Sequence, residues 1–223
     1  IWLGLVGSEM CIRDRPPSPS PPPPSPKPPC AYQIDFSLVL DESGSMNRET
    51  GTPGSTIESE LKAFAKELVY MFSLGADAAR FSVVSFAENA TKRVPWSYDP
   101  AEIASGIDAI SADGETSISD GFALARDLFA DDGDGYRPNA AKIVLFVSDG
   151  EQTVDKADDR TLFQTAVDAA QLVKDLPATV FAWGVGDNAS LTTLLQAIAT
   201  SPSNANNVTA RLADDVAGLE QYL

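Results

Sequence analysis

Two near-continuous apolar runs that each lead into an aspartate constrain this chain more than any other feature. Residues 34–40 lead into Asp41, and residues 143–147 lead through Ser148 into Asp149. Short strands without polar alternation suit a parallel sheet that is covered by helices on both faces. Ligands bind such sheets at the carboxyl ends of the strands. The sequence therefore predicts an α/β fold with a doubly wound, mostly parallel sheet, and both aspartates share one crevice if the two strands are parallel neighbours.

The residues around these aspartates offer only oxygen ligands. Asp41, Ser43 and Ser45 alternate along one short loop, so their side chains can converge, and Thr116 lies in a turn just before an apolar helical segment. Hard oxygen donors favour Mg²⁺, Ca²⁺ or Mn²⁺. The chain has no histidine, so softer metals lose their usual ligand. Taken alone, Asp-x-Ser-x-Ser is also typical of a helix cap or an Asx-turn.

Taken together, Asp41, Ser43, Ser45, Thr116 and Asp149 resemble, in this order and at these spacings, the metal-ion-dependent adhesion site of von Willebrand factor type A domains. The resemblance covers residues 32–223 and rests on three separate loops. It implies a Rossmann-like fold, to which the residues near 91–94 add a short antiparallel strand at the sheet edge. It also implies a Mg²⁺ ion, with Mn²⁺ or Ca²⁺ as alternatives, that keeps an open position for a partner's carboxylate.

The resemblance further implies how the ligands divide their work. The first aspartate and the two serines contact the ion directly or through water, Thr116 enters or leaves the first coordination shell with ligand state, and Asp149 often acts through water. Glu115 stands where the family usually has the second glycine of Gly-Gly-Thr. This departure changes the backbone and the charge beside the ion.

Composition divides the chain into three parts. Residues 16–30 are almost entirely proline and serine, which predicts a semi-rigid polyproline II linker. They resemble the stalks of algal and plant cell-wall glycoproteins, and an undecorated linker or a ligand for a proline-binding module is the alternative. Residues 1–15 resemble translated adapter sequence, so we expect them to be non-native or unstructured. Residues 31–223 form the domain, which we expect to be cut short in its last helix.

Several features favour a secreted protein of a cell wall or extracellular matrix. Sequons at Asn89, Asn188 and Asn207 fit glycosylation on a secretory route. Extracellular members of the resembled family often pair a cysteine at the position of Cys30 with one after the last helix. Cys11 and Cys30 are the only cysteines, so we expect that partner to be missing from this sequence, with a free thiol or an interchain disulfide as alternatives.

Charge excludes some classes of partner. The formal net charge is −16 and the isoelectric point is about 4.2, so nucleic acid and anionic membranes would be repelled. The same charge also serves solubility. The apolar stretch within residues 1–15 is too short to span a membrane.

Three functions remain. The first is a non-enzymatic adhesion or matrix module that binds an acidic group of a protein or glycan through Mg²⁺. The second is an intracellular domain coupled to an ATPase, as in metal chelatases. The third is a magnesium-dependent hydrolase with Asp41 as nucleophile or base, which lacks a histidine as acid or base and a second carboxylate at Asp-x-Asp spacing.

Apolar periodicity and turn residues also predict the remaining elements. Helices are expected from residue 57 and over residues 100–110, 118–129, 162–176, 191–199 and 214–223, and strands over residues 81–86, 91–94, 179–185 and 208–210. Pro95 is expected to interrupt its strand, and exposed amides at the start of the helix after Thr116 could also orient an anionic ligand. Residues 131–135 are interpreted as a solvated acidic loop rather than a calcium loop, and Asp187 as a turn residue rather than an outer-shell acceptor.

Overall fold

The structure is a computed structural model of the chain, and it describes residues 33–130, 137–155, 157–186, 189–201 and 209–220. The expectations for the proline-rich linker, both cysteines, the acidic loop, Asp187 and the sequons at Asn188 and Asn207 lie outside these residues. No helix in the described part of the chain has the length and apolar character needed to span a membrane.

Six strands form one sheet. They are β1 (Ile34–Asp41), β2 (Ala79–Phe86), β3 (Ala90–Ser97), β4 (Ala141–Ser148), β5 (Thr179–Val185) and β6 (Ala210–Ala213), in the spatial order β3-β2-β1-β4-β5-β6. All neighbours are parallel except β2 and β3, which pair antiparallel. The predicted mostly parallel sheet with one antiparallel edge strand is therefore confirmed.

Helices cover both faces of this sheet. They are α1 (Ile57–Tyr70), α2 (Pro100–Asp108), α3 (Ile118–Ala130), α4 (Leu162–Lys174), α5 (Ala189–Ile198) and the short α6 (Val216–Glu220). One apolar core lies under α1, α2 and α6 and includes Phe64 and Trp183, and the other lies under α3, α4 and α5 and includes Phe122. Two buried cores, one on each face, explain why the strands are apolar almost throughout.

Helix starts follow the local sequence. Thr56 caps α1 through a reciprocal pair of hydrogen bonds with Ser59, and Thr161 and Gln164 do the same for α4. Asp99 caps α2, whose first residue is Pro100. These signals explain why the predicted and observed starts of these helices agree.

Two strand predictions need correction. β3 continues through Pro95 and Trp96 to Ser97, because Pro95 lies on an edge strand at a register shift where Phe81 pairs with Ser97 and Val83 with Val94. An edge strand or a bulge is where a sheet tolerates proline. The last strand begins at Ala210, where the predicted strand ends.

The sheet order reverses between β1 and β4. β1 pairs with β2 on one side and with β4 on the other, with Leu40 opposite Val147. Such a reversal opens a crevice at the carboxyl ends of the two strands, where doubly wound sheets bind ligands. Asp41 ends β1 and Asp149 directly follows β4, so both lie at this crevice.

Candidate metal centre

Asp41 lies beneath the crevice rather than in its wall. Its side chain is buried, and its two oxygens accept hydrogen bonds from the Ser43 backbone N–H at 2.8 Å and from the Ser148 hydroxyl. Burial raises the pKa of this carboxyl from 3.8 to about 6, although both hydrogen bonds act in the opposite direction. Asp41 thus holds the loop that begins at Ser43 and places a buried carboxyl directly under it.

A 3₁₀ helix, Gly44–Asn47, turns the two serines towards the crevice. Its first residue is held by a hydrogen bond from the Gly44 N–H to the Gly114 carbonyl at 3.0 Å. Ser43 Oγ and Ser45 Oγ are 3.1 Å apart. Ser45 Oγ donates to Asp149 Oδ1 at 2.7 Å, so its lone pairs remain available as ligands.

Asp149 has an incompletely satisfied carboxylate. Its side chain is fully buried, and its Oδ2 accepts no hydrogen bond. The Arg48 guanidinium lies 3.3 Å from this oxygen without hydrogen-bonding geometry. A buried anionic oxygen without a hydrogen-bond donor is costly, which indicates that the site is built to receive a further electropositive partner.

Thr116 approaches from the loop before α3. Its backbone N–H donates to Thr153 Oγ1 at 2.9 Å, and its carbonyl accepts from the Thr153 N–H at 2.8 Å. The Thr153 hydroxyl in turn donates to Glu115 Oε2 at 2.8 Å. Glu115, at the position where the resembled family usually has glycine, is thereby hydrogen-bonded to the loop after β4. Glu115 also lines the crevice that contains Asp149.

Two backbone amides at the start of α3 donate hydrogen bonds to neighbouring loops. The Ser117 N–H donates to the Ala87 carbonyl at 2.7 Å, and the Ser119 N–H donates to Gln152 Oε1 at 2.9 Å. Both residues are buried. These two amides are therefore not available to an anionic ligand, because neighbouring loops already use them.

Four of the five predicted ligands line one open crevice of about 360 Å³. The complete lining is Ser43, Ser45, Arg48, Gly114, Glu115, Thr116, Asp149, Gly150, Glu151 and Thr153. The four predicted ligands in this lining supply one carboxylate and three hydroxyls, and Asp41 adds a second carboxylate from beneath the loop. Such oxygen donors suit a hard divalent cation, and the unsatisfied oxygen of Asp149 fits such an ion. Among the described residues no group of three or more carboxylate, cysteine or histidine side chains is arranged to hold a metal ion by itself, so an ion here would also need the hydroxyls.

Sequence reasoning missed several residues of the site. Three of them contact predicted ligands: Arg48 pairs with Asp149, Ser148 donates to Asp41, and Thr153 accepts from Thr116. Gln152 accepts from the Ser119 N–H at the start of α3. Ser148 was visible as the residue between strand and aspartate, and the others had no local signal. Their contacts join loops that are distant in the sequence.

A sequence profile of the von Willebrand factor type A domain matches residues 35–221. The chain belongs to the von Willebrand factor type A domain family. This domain accounts for every element from β1 to α6, so the fold and the family agree.

Relatives of this von Willebrand factor type A domain include two mouse collagen chains. Collagen alpha-6(VI) is 31% identical over 123 residues, and collagen alpha-4(VI) is 27% identical over 171 residues. These alignments cover 53% and 75% of this chain but only 5% and 6% of the collagen chains. The similarity therefore concerns one domain of much longer proteins.

Solved structures that are similar to this chain include a mussel thread protein. Proximal thread matrix protein 1 from the mussel byssus, in a form with a zinc-occupied adhesion-site motif, has a TM-score of 0.67 and 25% identity over 86% of this chain and 44% of its own. The von Willebrand factor type A protein of Catenulispora acidiphila has a TM-score of 0.61 at 19% identity over 86% of this chain and 41% of its own, a likeness of fold alone.

Proposed function

We propose that this domain is an extracellular adhesion or matrix-interaction module. It binds an acidic group of a protein or glycan through a Mg²⁺ ion held by Asp41, Ser43, Ser45, Thr116 and Asp149. The observation that carries this proposal is the buried, unsatisfied Asp149 oxygen beside three hydroxyl-bearing residues in one open crevice.

The donor set supports ligation rather than catalysis. The three hydroxyl oxygens are neutral, so an ion here receives little negative charge from the protein and stays attractive to an incoming carboxylate. Four of the proposed ligands would hold the ion from the wall of the crevice: Ser43, Ser45, Thr116 and Asp149. Asp41 lies below the serine loop, keeps it in place, and would reach the ion from beneath, directly or through water. Asp41 is an unsuitable nucleophile, because it is buried and both of its oxygens accept hydrogen bonds.

Two further observations support an extracellular setting. The relatives that match this chain include collagen chains and a thread matrix protein. Asn89, the acceptor of one sequon, is exposed in the turn between β2 and β3. We propose Mg²⁺ as the resident ion, with Mn²⁺ and Ca²⁺ as alternatives, and the zinc in the mussel protein makes Zn²⁺ a necessary comparison.

The ion comes first in the test. We expect isothermal titration of the full chain with MgCl₂ to give one binding event, and the Asp149→Asn variant to lose at least about tenfold in affinity because the charged buried oxygen is removed. The matched control is Asp168→Asn, an exposed aspartate paired with Arg160. Equal Mg²⁺ affinity in all three proteins would contradict the proposed site.

Ligand binding is tested second. We expect the full chain to be retained on immobilised extracellular-matrix proteins in Mg²⁺ and released by EDTA, and Asp149→Asn to pass through in both. Retention that is indifferent to EDTA and to Asp149→Asn would separate the interaction from the ion and would overturn the adhesion proposal.

A further inference from the structure

Arg48 is held rigidly at its backbone but not at its side chain. Its N–H donates to the Ser45 carbonyl at 3.0 Å, and its carbonyl accepts from the Ile57 N–H at 3.1 Å. This fixes the residue between the 3₁₀ helix and α1. The side chain is 58% exposed, so only its guanidinium end reaches the crevice.

The guanidinium is placed where a second cation would compete with it. Nη2 lies 3.3 Å from Asp149 Oδ2, the oxygen that accepts no hydrogen bond. The same crevice contains Ser43, Ser45 and Thr116. A divalent ion held by these residues would lie within a few ångströms of the guanidinium in this position, and like charges at that distance repel.

An alternative position for the guanidinium exists on the other side of Arg48. A second crevice of about 210 Å³ lies beside Arg48. Its lining includes Arg48 and three acidic residues, Glu49, Asp214 and Asp215. Arg48 lines both crevices and its side chain is exposed, so it stands between Asp149 and these carboxylates. Acidic residues there lower the cost of leaving Asp149.

We propose that Arg48 is a resident counter-cation of the ion-free site, which a divalent ion must displace from Asp149. Arg48 neutralises the buried carboxylate when no ion is bound and thereby lowers the affinity of the site for Mg²⁺. On ion binding the guanidinium moves towards the acidic second crevice. This inference rests on the proposed ion site and adds a competitor to it.

The test is titration with MgCl₂ alone, without any partner. Arg48→Gln keeps a polar side chain and removes the charge, so we expect its Kd for Mg²⁺ to fall roughly three- to tenfold below that of the wild type. Arg48→Lys keeps the charge, and we expect its Kd to lie within about twofold of the wild-type value. Arg126→Gln removes the charge of an exposed arginine that pairs with Asp127, and its Kd should not change.

Salt supplies a second readout that a purely structural role would not move. The ratio of the wild-type and Arg48→Gln Kd values should shrink as KCl is raised, because salt screens repulsion at an exposed charge. A wild type that binds Mg²⁺ through Asp149 and an Arg48→Gln variant with the same or a weaker affinity would overturn this inference alone. Failure of both proteins to bind Mg²⁺ would overturn the ion site and this inference together.

Discussion

Two aspartates near one crevice have different environments and therefore different roles. Asp41 is buried, accepts two hydrogen bonds and has its pKa raised to about 6, chiefly by desolvation. Asp149 is also buried, but it faces Ser45 and Arg48 and keeps one oxygen without a hydrogen bond. At the scale of single residues, Asp41 supports the loop while Asp149 presents an acceptor.

Asp41 makes the ion-free protein sensitive to pH. Its pKa in the folded protein lies above the ordinary value of 3.8, so its contribution to stability is full below about pH 4 and is lost as the pH rises through about 6. Above about pH 6, the buried charge lowers the free energy of unfolding by about 3 kcal/mol. We expect Asp41→Asn, measured by urea unfolding in EDTA, to be more stable than the wild type at pH 7.5 and to lose this advantage by pH 4.

Asparagine suits this position because its carbonyl can accept from the Ser43 N–H and its amide can donate to Ser148. Asp168→Asn again serves as the exposed control, and its difference from the wild type should vary little between pH 4 and 7.5. If the free energies of unfolding of Asp41→Asn and the wild type differed by the same amount at pH 4 and pH 7.5, burial of the Asp41 charge would not be the cause of the difference.

At the scale of elements, the edge of the sheet depends on a close approach between helix and strand. Gly106 lies in α2, where a Cβ atom would come 2.0 Å from Val94 Cγ2 of β3 and 3.5 Å from the backbone of Arg93. Val94 is buried and β-branched, so it cannot easily move aside. Glycine at this helical position is required by packing, although it weakens the helix itself.

We therefore expect Gly106→Ala to lower the free energy of unfolding by about 1–3 kcal/mol, despite the better helix propensity of alanine. Ser105→Ala, at the exposed neighbouring position of the same helix, should change stability by less than about 0.5 kcal/mol. Urea unfolding in EDTA measures both. A Gly106→Ala protein as stable as Ser105→Ala would mean that α2 shifts freely on the sheet.

At the scale of the whole molecule, the candidate site joins three loops that meet where the strand order reverses between β1 and β4. Asp41 ends β1 and residues 42–48 follow it, Thr116 precedes α3, and residues 149–153 follow β4. At the opposite end of β1, a buried network joins Asp35 to Arg80 and Arg137. The two ends of this strand are thus held differently, by side-chain ion pairs at one end and by the hydrogen bonds that Asp41 accepts at the other.

An ion at this site should act as a local cross-link between three loops. In hydrogen exchange measured by mass spectrometry, we expect Mg²⁺ to slow amide exchange in residues 42–48, 113–117 and 149–154, relative to EDTA. Exchange around Asp35 and Arg137 should not change. The Asp149→Asn protein serves as the control and should show no slowing in the three loops.

Protection that appears instead around Asp35, or equally across the whole domain, would place the ion elsewhere. Protection of the three loops in Asp149→Asn as strong as in the wild type would exclude Asp149 from the ion's environment.

Much of this protein is determined by the sequence alone, because the signals are local. The apolar runs before Asp41 and Asp149 specify buried strands, and Thr56, Asp99 and Thr161 mark the helix starts that the structure confirms. The five candidate ligands were likewise named from short motifs and from the resemblance of their spacing to a family. Each of these features depends on side chains within a few residues of one another, or on a motif order that a chain preserves.

The tertiary structure decided what joins segments far apart in the chain. Arg48 and Asp149 pair across two loops. Gln152 accepts a hydrogen bond from the Ser119 amide at the start of α3. Thr153 hydrogen-bonds to both Glu115 and Thr116. Pro95 remains in its strand only because β3 is an edge strand with a bulge. No local pattern predicts these contacts, because they arise when parallel strands bring distant loops to the same edge of one sheet.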